Sequence, residues 1–226
     1  MEIIKDTITF MYPNKLVFEN IEIKINQGEI YLLIGRNGCG KSTLLRLLAK
    51  IEPYQFKLHL VNEKEISYMP SDLVYYSYMK IIDLLKFYDD THHNFSLDFA
   101  LKYLDEFKLN PKQKIKKLSM GEQKILNYLI CLSKNAKLYL IDEPFPYVDL
   151  LNDEIFRNMI INRYDETKTF IIATHQINEF EKLASYCLLI KDYKTIECLS
   201  TDEIRSTVSL SVEDYFKEVM RYVKGD

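Results

Sequence analysis

GRNGCGKS, at residues 35–42, matches the pattern G-x-x-x-x-G-K-[ST]. The apolar segment IYLLI precedes it at residues 30–34, and the helix-like segment KSTLLRLLAK follows at residues 41–50. Only six glycines occur among 226 residues, and three of them lie in this stretch. Glycines let successive backbone N–H groups converge on an anion, and a helix N-terminus adds its positive dipole end. The stretch predicts a phosphate-binding loop between a strand and a helix, whereas a glycine turn without a ligand is the less favoured interpretation.

Two residues of this loop have specific chemical roles. Lys41 is positioned to neutralise charge on the β- and γ-phosphates of a nucleotide, and the Ser42 hydroxyl is positioned to reach Mg²⁺. The predicted nucleotide-binding residues of this segment are Gly35, Arg36, Asn37, Gly38, Cys39, Gly40, Lys41, Ser42 and Thr43.

Two acids, Asp142 and Glu143, follow a second apolar segment, LYLI, at residues 138–141. Parallel sheets bind their ligands at the carboxyl ends of strands. We therefore predict that Asp142 holds Mg²⁺ through water and that Glu143 polarises an attacking water as a general base. Such a pair is more often a helix cap when no phosphate loop accompanies it. His175, after the apolar segment 169–174, is predicted to contact the γ-phosphate, with a capping or core role as the alternative.

Strand and helix patterns alternate along the chain, which predicts an α/β fold with a mostly parallel sheet. A block of helical pattern at residues 78–134 is predicted to be inserted into that sheet. The predicted strands cover residues 2–10, 17–25, 29–34, 56–61, 65–69, 137–141, 169–173, 186–190 and 195–199. The other predicted helices cover residues 41–50, 150–162 and 177–184, and a helix at 120–133 lies within the inserted block.

Composition excludes several classes of protein. The 47% hydrophobic and 28% charged fractions are typical of a globular protein and exclude a disordered or fibrous chain. The net charge of −3 predicts no broad nucleic-acid surface, so no nucleic-acid partner is expected. No apolar run approaches the roughly 18 residues of a membrane span, and MEIIKDTITF does not have the pattern of a signal peptide. The four cysteines form no CxxC pair, which favours reduced thiols in a cytosolic protein.

LSMGEQ, at residues 118–123, resembles the signature motif of ATP-binding cassette (ABC) ATPases, usually written LSGGQ. The order of GRNGCGKST, LSMGEQ, LYLIDEP and ATH is also similar to that family. The resemblance implies an ATPase that uses ATP and Mg²⁺, with adenine stacked on Tyr12 and a D-loop at Val148-Asp149.

The resemblance further implies a dimer, expected to be a homodimer, that closes head to tail around two ATP molecules. Ser119 and the Gly121 amide of one subunit would then complete the γ-phosphate site of the other. Gln123 and Asp149 are also expected to bind nucleotide. A glycine at a helix start with a serine ahead of it suits anion binding. A simple serine N-cap on the helix at residues 120–133 is the alternative, and both roles are compatible.

The architecture implied by the resemblance is a P-loop NTPase core, a small antiparallel β subdomain and an inserted α-helical subdomain. We expect a single ABC ATPase domain over residues 1–226, with the core at about 1–70 and 135–200, the helical subdomain at about 71–134 and a helical tail at about 201–226. The segment from Lys41 to Pro70 is short for the family, which predicts a trimmed β subdomain. Ser71 stands where the family has a glutamine that joins Mg²⁺ and couples the site to the transmembrane partner.

The function implied by the resemblance is that of an ATP-hydrolysing transporter subunit. It would drive a separate transmembrane permease from the cytoplasm, at the inner face of the cell membrane. The segment SLSVEDYFKEVM resembles the tail of drug, peptide and lipid exporters, so export is expected. The amphipathic helix in this segment is predicted to pack on the cassette, with a partner surface as the alternative. The alternative function is a soluble ABC ATPase that powers a cytosolic assembly or repair process.

Overall fold

The computed structural model describes residues 1–54, 61–71, 77–144, 150–208 and 210–222. Within these residues, eight strands form two sheets. The strands are β1 (Glu2–Tyr12), β2 (Lys15–Asn26), β3 (Ile30–Gly35), β4 (Ile66–Met69), β5 (Leu138–Asp142), β6 (Thr169–Ala173), β7 (Tyr186–Ile190) and β8 (Ile196–Ser200). The helices are α1 (Lys41–Leu48), α2 (Ile81–Thr91), α3 (Leu97–Glu106), α4 (Met120–Ser133), α5 (Leu150–Arg163), α6 (Ile177–Phe180), α7 (Thr201–Glu203) and α8 (Val212–Tyr222).

The larger sheet has the strand order β4-β5-β6-β3-β7-β8. Its first five strands are parallel, and β8 runs antiparallel to β7. Strands β3, β5 and β6 are buried along their whole length, as expected for a parallel sheet that is covered on both faces. Side chains of β3 alternate between two cores: Leu32 and Ile34 face one core, and Tyr31 and Leu33 face the other.

Different elements cover the two faces of the sheet. Helices α2 to α6 and α8 contribute buried residues to the core on one face. The antiparallel pair β1-β2 and helix α1 contribute theirs to the core on the other face. The predicted α/β class, the mostly parallel sheet, the small antiparallel sheet and the inserted helices are therefore confirmed. The boundaries of the three predicted subdomains stay predictions.

The sheet topology collects the predicted site at one edge. Strands β3, β4, β5 and β6 end side by side, so the phosphate loop, Ser71, the two acids and His175 follow the carboxyl ends of neighbouring strands. Asp142 pairs in register with Ala173, and the Glu143 N–H donates to the Ala173 carbonyl at 2.8 Å. The acid pair is thereby tied by backbone hydrogen bonds to the strand that precedes His175.

Several predicted bounds need correction. Strand β1 continues to Tyr12, and strand β2 begins at Lys15, because the turn between them has only two residues. Helix α6 ends at Phe180 rather than 184, since the Leu183 N–H donates to the Phe180 carbonyl in a tighter turn that leads into β7. The strand predicted at 56–61 falls almost entirely outside the described residues. None of the helices in the described ranges is both long and apolar enough to cross a bilayer.

Candidate functional site

The phosphate loop uses glycine where other residues would be strained. Gly38 and Gly40 have φ angles of 77° and 111°, in the left-handed region. A Cβ atom at Gly40 would also lie 2.7 Å from the Phe18 ring. Helix α1 begins at Lys41 after Gly40, and no side chain caps it. The first N–H groups of α1 are therefore available to an anion at its N-terminus.

The Lys41 side chain lies beneath this loop. Only 7% of the residue is exposed. Its Nζ atom donates to the carbonyls of Gly35 and Arg36 at 3.0 and 3.3 Å. A phosphate oxygen is a stronger acceptor for this ammonium than a carbonyl, because the phosphate carries a negative charge and adds Coulomb attraction. The geometry thus places a cation where an incoming phosphate can bind it.

Asp142 is a buried acid whose carboxylate accepts no well-aligned hydrogen bond. The residue is 1% exposed, and neither carboxylate oxygen accepts a hydrogen bond of standard geometry. Burial raises the pKa of Asp142, while the nearby Ser42 hydroxyl and the Lys41 charge lower it in part. A buried polar group of this kind needs a partner, and Mg²⁺ takes oxygen ligands. Ser42 and Asp142 therefore fit a Mg²⁺ site.

The same region provides no complete metal cage of its own. No cluster of three His, Cys, Asp or Glu side chains is found among the residues that the structure describes. Proteins usually bind Mg²⁺ through one or two carboxylates together with substrate phosphates.

Glu143 has an unusual backbone that sequence reasoning did not predict. Its φ of 49° is left-handed, and its carbonyl accepts a hydrogen bond from Lys124 Nζ at 3.3 Å. Its Oε2 atom accepts the His175 backbone N–H at 3.3 Å. Its Oε1 atom lies 3.0 Å from His175 Nε2, within ion-pair distance but without hydrogen-bond alignment. Burial raises the pKa of Glu143, and the proximity of His175 partly opposes that shift.

One cleft of about 550 Å³ unites most of the predicted site. The phosphate loop forms its floor, Tyr12 lines it, and the side chains that follow β4, β5 and β6 complete the wall. The lining residues are Tyr12, Lys15, Val17, Asn37, Gly38, Gly40, Lys41, Ser42, Thr43, Arg46, Ser71, Glu143 and His175. Lys15, Val17 and Arg46 were not predicted, since no motif marks them. Gly35, Arg36 and Cys39 belong to the loop without lining this cleft.

The predicted signature residues lie outside this cleft. Ser119 is exposed and caps α4: its Oγ atom accepts the Glu122 N–H at 3.2 Å, and Glu122 Oε2 accepts the Ser119 N–H at 2.7 Å. Gln123 donates to the Leu118 carbonyl at 2.9 Å. The predicted N-cap is therefore confirmed. The role of Ser119, Gly121 and Gln123 toward a second subunit stays a prediction, and Asp149 lies outside the described residues.

The comparison with known families agrees with this geometry. Residues 18–146, more than half of the chain, match the family described as "ABC transporter". The chain belongs to the ABC transporter family. Proteins of this ATP-binding family hydrolyse ATP, so this ABC chain is an ATPase subunit. It is 32% identical over 205 residues to an uncharacterized ABC transporter ATP-binding protein of Methanocaldococcus jannaschii, covering 88% of this chain and 78% of that protein.

Two further relatives bear names that state a direction of transport. A xylose import ATP-binding protein of Moorella thermoacetica is 25% identical over 87% of this ABC chain, which spans only 44% of that relative. A molybdate import ATP-binding protein of Haemophilus influenzae is 29% identical, covering 82% of this chain and 77% of that protein. The expectation of export, which came from the resemblance of the C-terminal segment, finds no support in these relatives.

Solved structures show the same fold. The "ATP binding subunit of ABC transporter" superposes with a TM-score of 0.84 at 18% identity, covering 97% of this ABC chain and 99% of that chain. A nucleotide-free ATP-binding cassette superposes with a TM-score of 0.72 at 20% identity, covering 97% and 98%. The predicted P-loop ABC ATPase fold is confirmed.

Proposed function

We propose that this ABC ATPase binds Mg-ATP in the cleft between Tyr12 and the phosphate loop, and that hydrolysis there drives a separate transmembrane permease. The observation that carries the proposal is the shared cleft. One cavity is lined by an aromatic ring, a glycine loop with its lysine, and a half-buried acid, Glu143, beside a histidine. These are the groups that a nucleobase, a triphosphate and an attacking water require.

The phosphate end of the cleft supplies binding. The uncapped N-terminus of α1 and the Lys41 ammonium take the phosphate oxygens. Ser42 and Asp142 would hold Mg²⁺, which when bound neutralises charge on the phosphates. The Tyr12 ring would stack on adenine at the other end of the cleft.

The hydrolytic end of the cleft supplies a base. Glu143 accepts the proton of a water that attacks the γ-phosphate, and its raised pKa makes it a better proton acceptor. His175 restrains this carboxylate through its backbone N–H, and its ring, which lines the same cleft, would contact the γ-phosphate. The Lys124 ammonium holds the Glu143 carbonyl and so supports the left-handed backbone.

A second copy of the chain would complete each site. Ser119, Gly121 and Gln123 would reach the γ-phosphate bound by the opposite subunit, along with Asp149. The start of α4 presents a surface suited to such a contact, because Met120 is 80% exposed although it is large and apolar. An exposed apolar side chain next to polar groups is typical of an interface.

The permease would hold this subunit at the inner face of the cell membrane. The names of the xylose and molybdate relatives support import of a small solute rather than export. The alternative function, a soluble ABC ATPase that powers a cytosolic assembly or repair process, is not favoured, since the names of these relatives all describe transport. Copurification with a polytopic membrane protein would test the partnership.

The site assignment is tested by titrating the chain with a fluorescent ATP analogue. Lys41→Ala should remove most of the affinity, because the phosphates lose their buried cation. Lys86→Ala, at an exposed position of α2, is the matched control and should bind as the parent does. Unchanged binding in Lys41→Ala would show that the phosphates bind elsewhere.

A further inference from the structure

The Tyr12 hydroxyl is held by two charged side chains. It donates to Glu52 Oε1 at 2.8 Å and accepts from Arg46 Nη2 at 3.0 Å. Arg46 Nε lies 3.3 Å from the same Glu52 oxygen, so each of the three side chains contacts the other two. Phe10 packs against the tyrosine ring edge to face, with centroids 5.1 Å apart. The ring is therefore restrained at its hydroxyl and on its side.

The end of helix α1 builds this arrangement. Lys50 has a left-handed φ of 57°. The Ile51 N–H donates to the Arg46 carbonyl at 3.0 Å, and the Lys50 N–H donates to the Leu47 carbonyl at 3.0 Å. This is the Schellman pattern, which reverses the chain at a helix C-terminus. The reversal brings Glu52 back beside Arg46.

Helix α1 thus joins both ends of the cleft. Its first residue, Lys41, serves the phosphates, and Arg46 lies about 7.5 Å farther along the helix axis. Arg46 also lines the cleft. A single short helix therefore fixes the spacing between the phosphate loop and the tyrosine ring.

We propose that Arg46 and Glu52 are positioning residues that hold the Tyr12 ring as a preformed platform for the nucleobase. The inference rests on the proposed function, in which Tyr12 stacks on the base. A ring fixed before binding loses less rotamer entropy when the base arrives, so the held hydroxyl strengthens stacking without touching the nucleotide. Stacking uses the π-face of a base rather than its edges, so the platform serves ATP and GTP alike.

The alternative is that the three contacts only tether α1 to the hairpin β1-β2. A tether would influence folding and the phosphate loop equally for every ligand. A platform affects only ligands that carry a base. Inorganic tripolyphosphate has the phosphates of ATP and no base, so it separates the two roles.

The test titrates the full chain with the Mg²⁺ complexes of ATP, GTP and tripolyphosphate. Tyr12→Phe keeps the ring and removes the hydroxyl, and Glu52→Ala removes its main acceptor. Each variant should bind ATP and GTP about threefold more weakly, the typical net effect of one hydrogen bond, and should bind tripolyphosphate as the parent does. The Tyr12→Phe, Glu52→Ala double variant should be no worse than either single variant. Glu52→Gln, which keeps an acceptor oxygen, should restore most of the affinity.

Tyr12→Ala distinguishes failure of this inference from failure of the proposed function. It should weaken ATP binding about tenfold through loss of stacking. If Tyr12→Ala binds ATP normally, the base binds elsewhere and both ideas fail. If Tyr12→Ala weakens ATP binding while Tyr12→Phe and Glu52→Ala do not, stacking stands and the positioning role is wrong. Equal weakening of ATP and tripolyphosphate in Glu52→Ala would also overturn the positioning role.

Discussion

Asp142 is a single residue that fits a ligand site and lowers the stability of the folded protein when that ligand is absent. Its carboxyl is buried without a well-aligned hydrogen bond, and burial raises its pKa. When the pKa of a carboxyl is higher in the folded than in the unfolded protein, the fold is most stable at pH values below the unfolded-state pKa. That stability is lost as the pH rises through the folded-state pKa. Ionised Asp142 is therefore a cost to the metal-free protein near neutral pH.

Asp142→Asn should stabilise the metal-free chain by about 1 kcal/mol at pH 7, because burial of the carboxylate charge outweighs the favourable effects of the Ser42 hydroxyl and the Lys41 charge. Thermal unfolding with a chelator should show Tm about 2–4 °C above the parent. The difference should shrink as pH falls toward the ordinary aspartate pKa, where the parent carboxyl is also neutral. Asp105→Asn, at an exposed position of α3, is the control and should change little. A lower Tm for Asp142→Asn would mean that the carboxylate is satisfied in the fold.

Ser71 occupies the place of a glutamine and lines the cleft. Its side chain is shorter, so its oxygen stays nearer the backbone, and direct coordination of Mg²⁺ needs about 2.0–2.1 Å. We expect a water to bridge the gap. Ser71→Ala should then change the ATPase rate by less than about tenfold, or about 1.4 kcal/mol of barrier. Steady-state ATPase rates of Ser71→Ala and Glu143→Gln should be measured side by side, because Glu143→Gln should lose far more of the parent rate. A Ser71→Ala rate as low as that of Glu143→Gln would refute the bridging water.

In helix α4, Ser119 caps the helix and is also predicted to contact the nucleotide of the opposite subunit. Ser119 and Glu122 form a capping box at its N-terminus, within the signature segment. Such a cap is worth about 1 kcal/mol. A loss of activity in a Ser119 variant therefore has two possible causes, a weakened helix or a missing contact with the opposite nucleotide.

Two substitutions at Ser119 separate these causes. Ser119→Ala should lower Tm by about 2–4 °C through loss of the cap. Ser119→Asp keeps a capping oxygen and should unfold near the parent temperature. Its negative charge would nevertheless repel the triphosphate of the opposite subunit, so its ATPase rate should fall more than tenfold. Differential scanning calorimetry and ATPase assays measure both effects. A fully active Ser119→Asp variant would place Ser119 away from the γ-phosphate.

The elements most accurately predicted from sequence are those with local signals. The bounds of α4 follow from a serine cap and an apolar face, and the structure gives the same residues, 120–133. The left-handed Glu143 has no such signal, because its backbone is held by Lys124 from another element. Arg46 and Glu52 contact Tyr12 across 34 and 40 residues of sequence, so no motif spacing could reveal them. Residues that belong to motifs could be predicted even where the motifs are far apart in the chain, and contacts between residues outside the motifs could not.

At the scale of the whole molecule, the predicted function needs two copies. Glu143→Gln should bind ATP but fail to hydrolyse it, because the amide cannot accept the proton of the attacking water. The closed state should then accumulate, and size-exclusion chromatography with ATP should show a dimer. Lys41→Ala combined with Glu143→Gln is the control and should remain monomeric, since it cannot bind the triphosphate. A monomeric Glu143→Gln with ATP bound would contradict closure by a pair of subunits.

The central position of β3 in the larger sheet has a consequence for how this protein folds during translation. Ile30 lies in register with Phe170, and Tyr31 with Tyr186, so β3 finds its neighbours only in the last third of the chain. The phosphate loop is synthesised early but lacks its supporting strands until translation has passed Ile190. Such long-range pairing slows folding and leaves the apolar β3 exposed on the nascent chain. We expect the half-made polypeptide to depend on chaperones, with nucleotide stabilising the cassette only after its release.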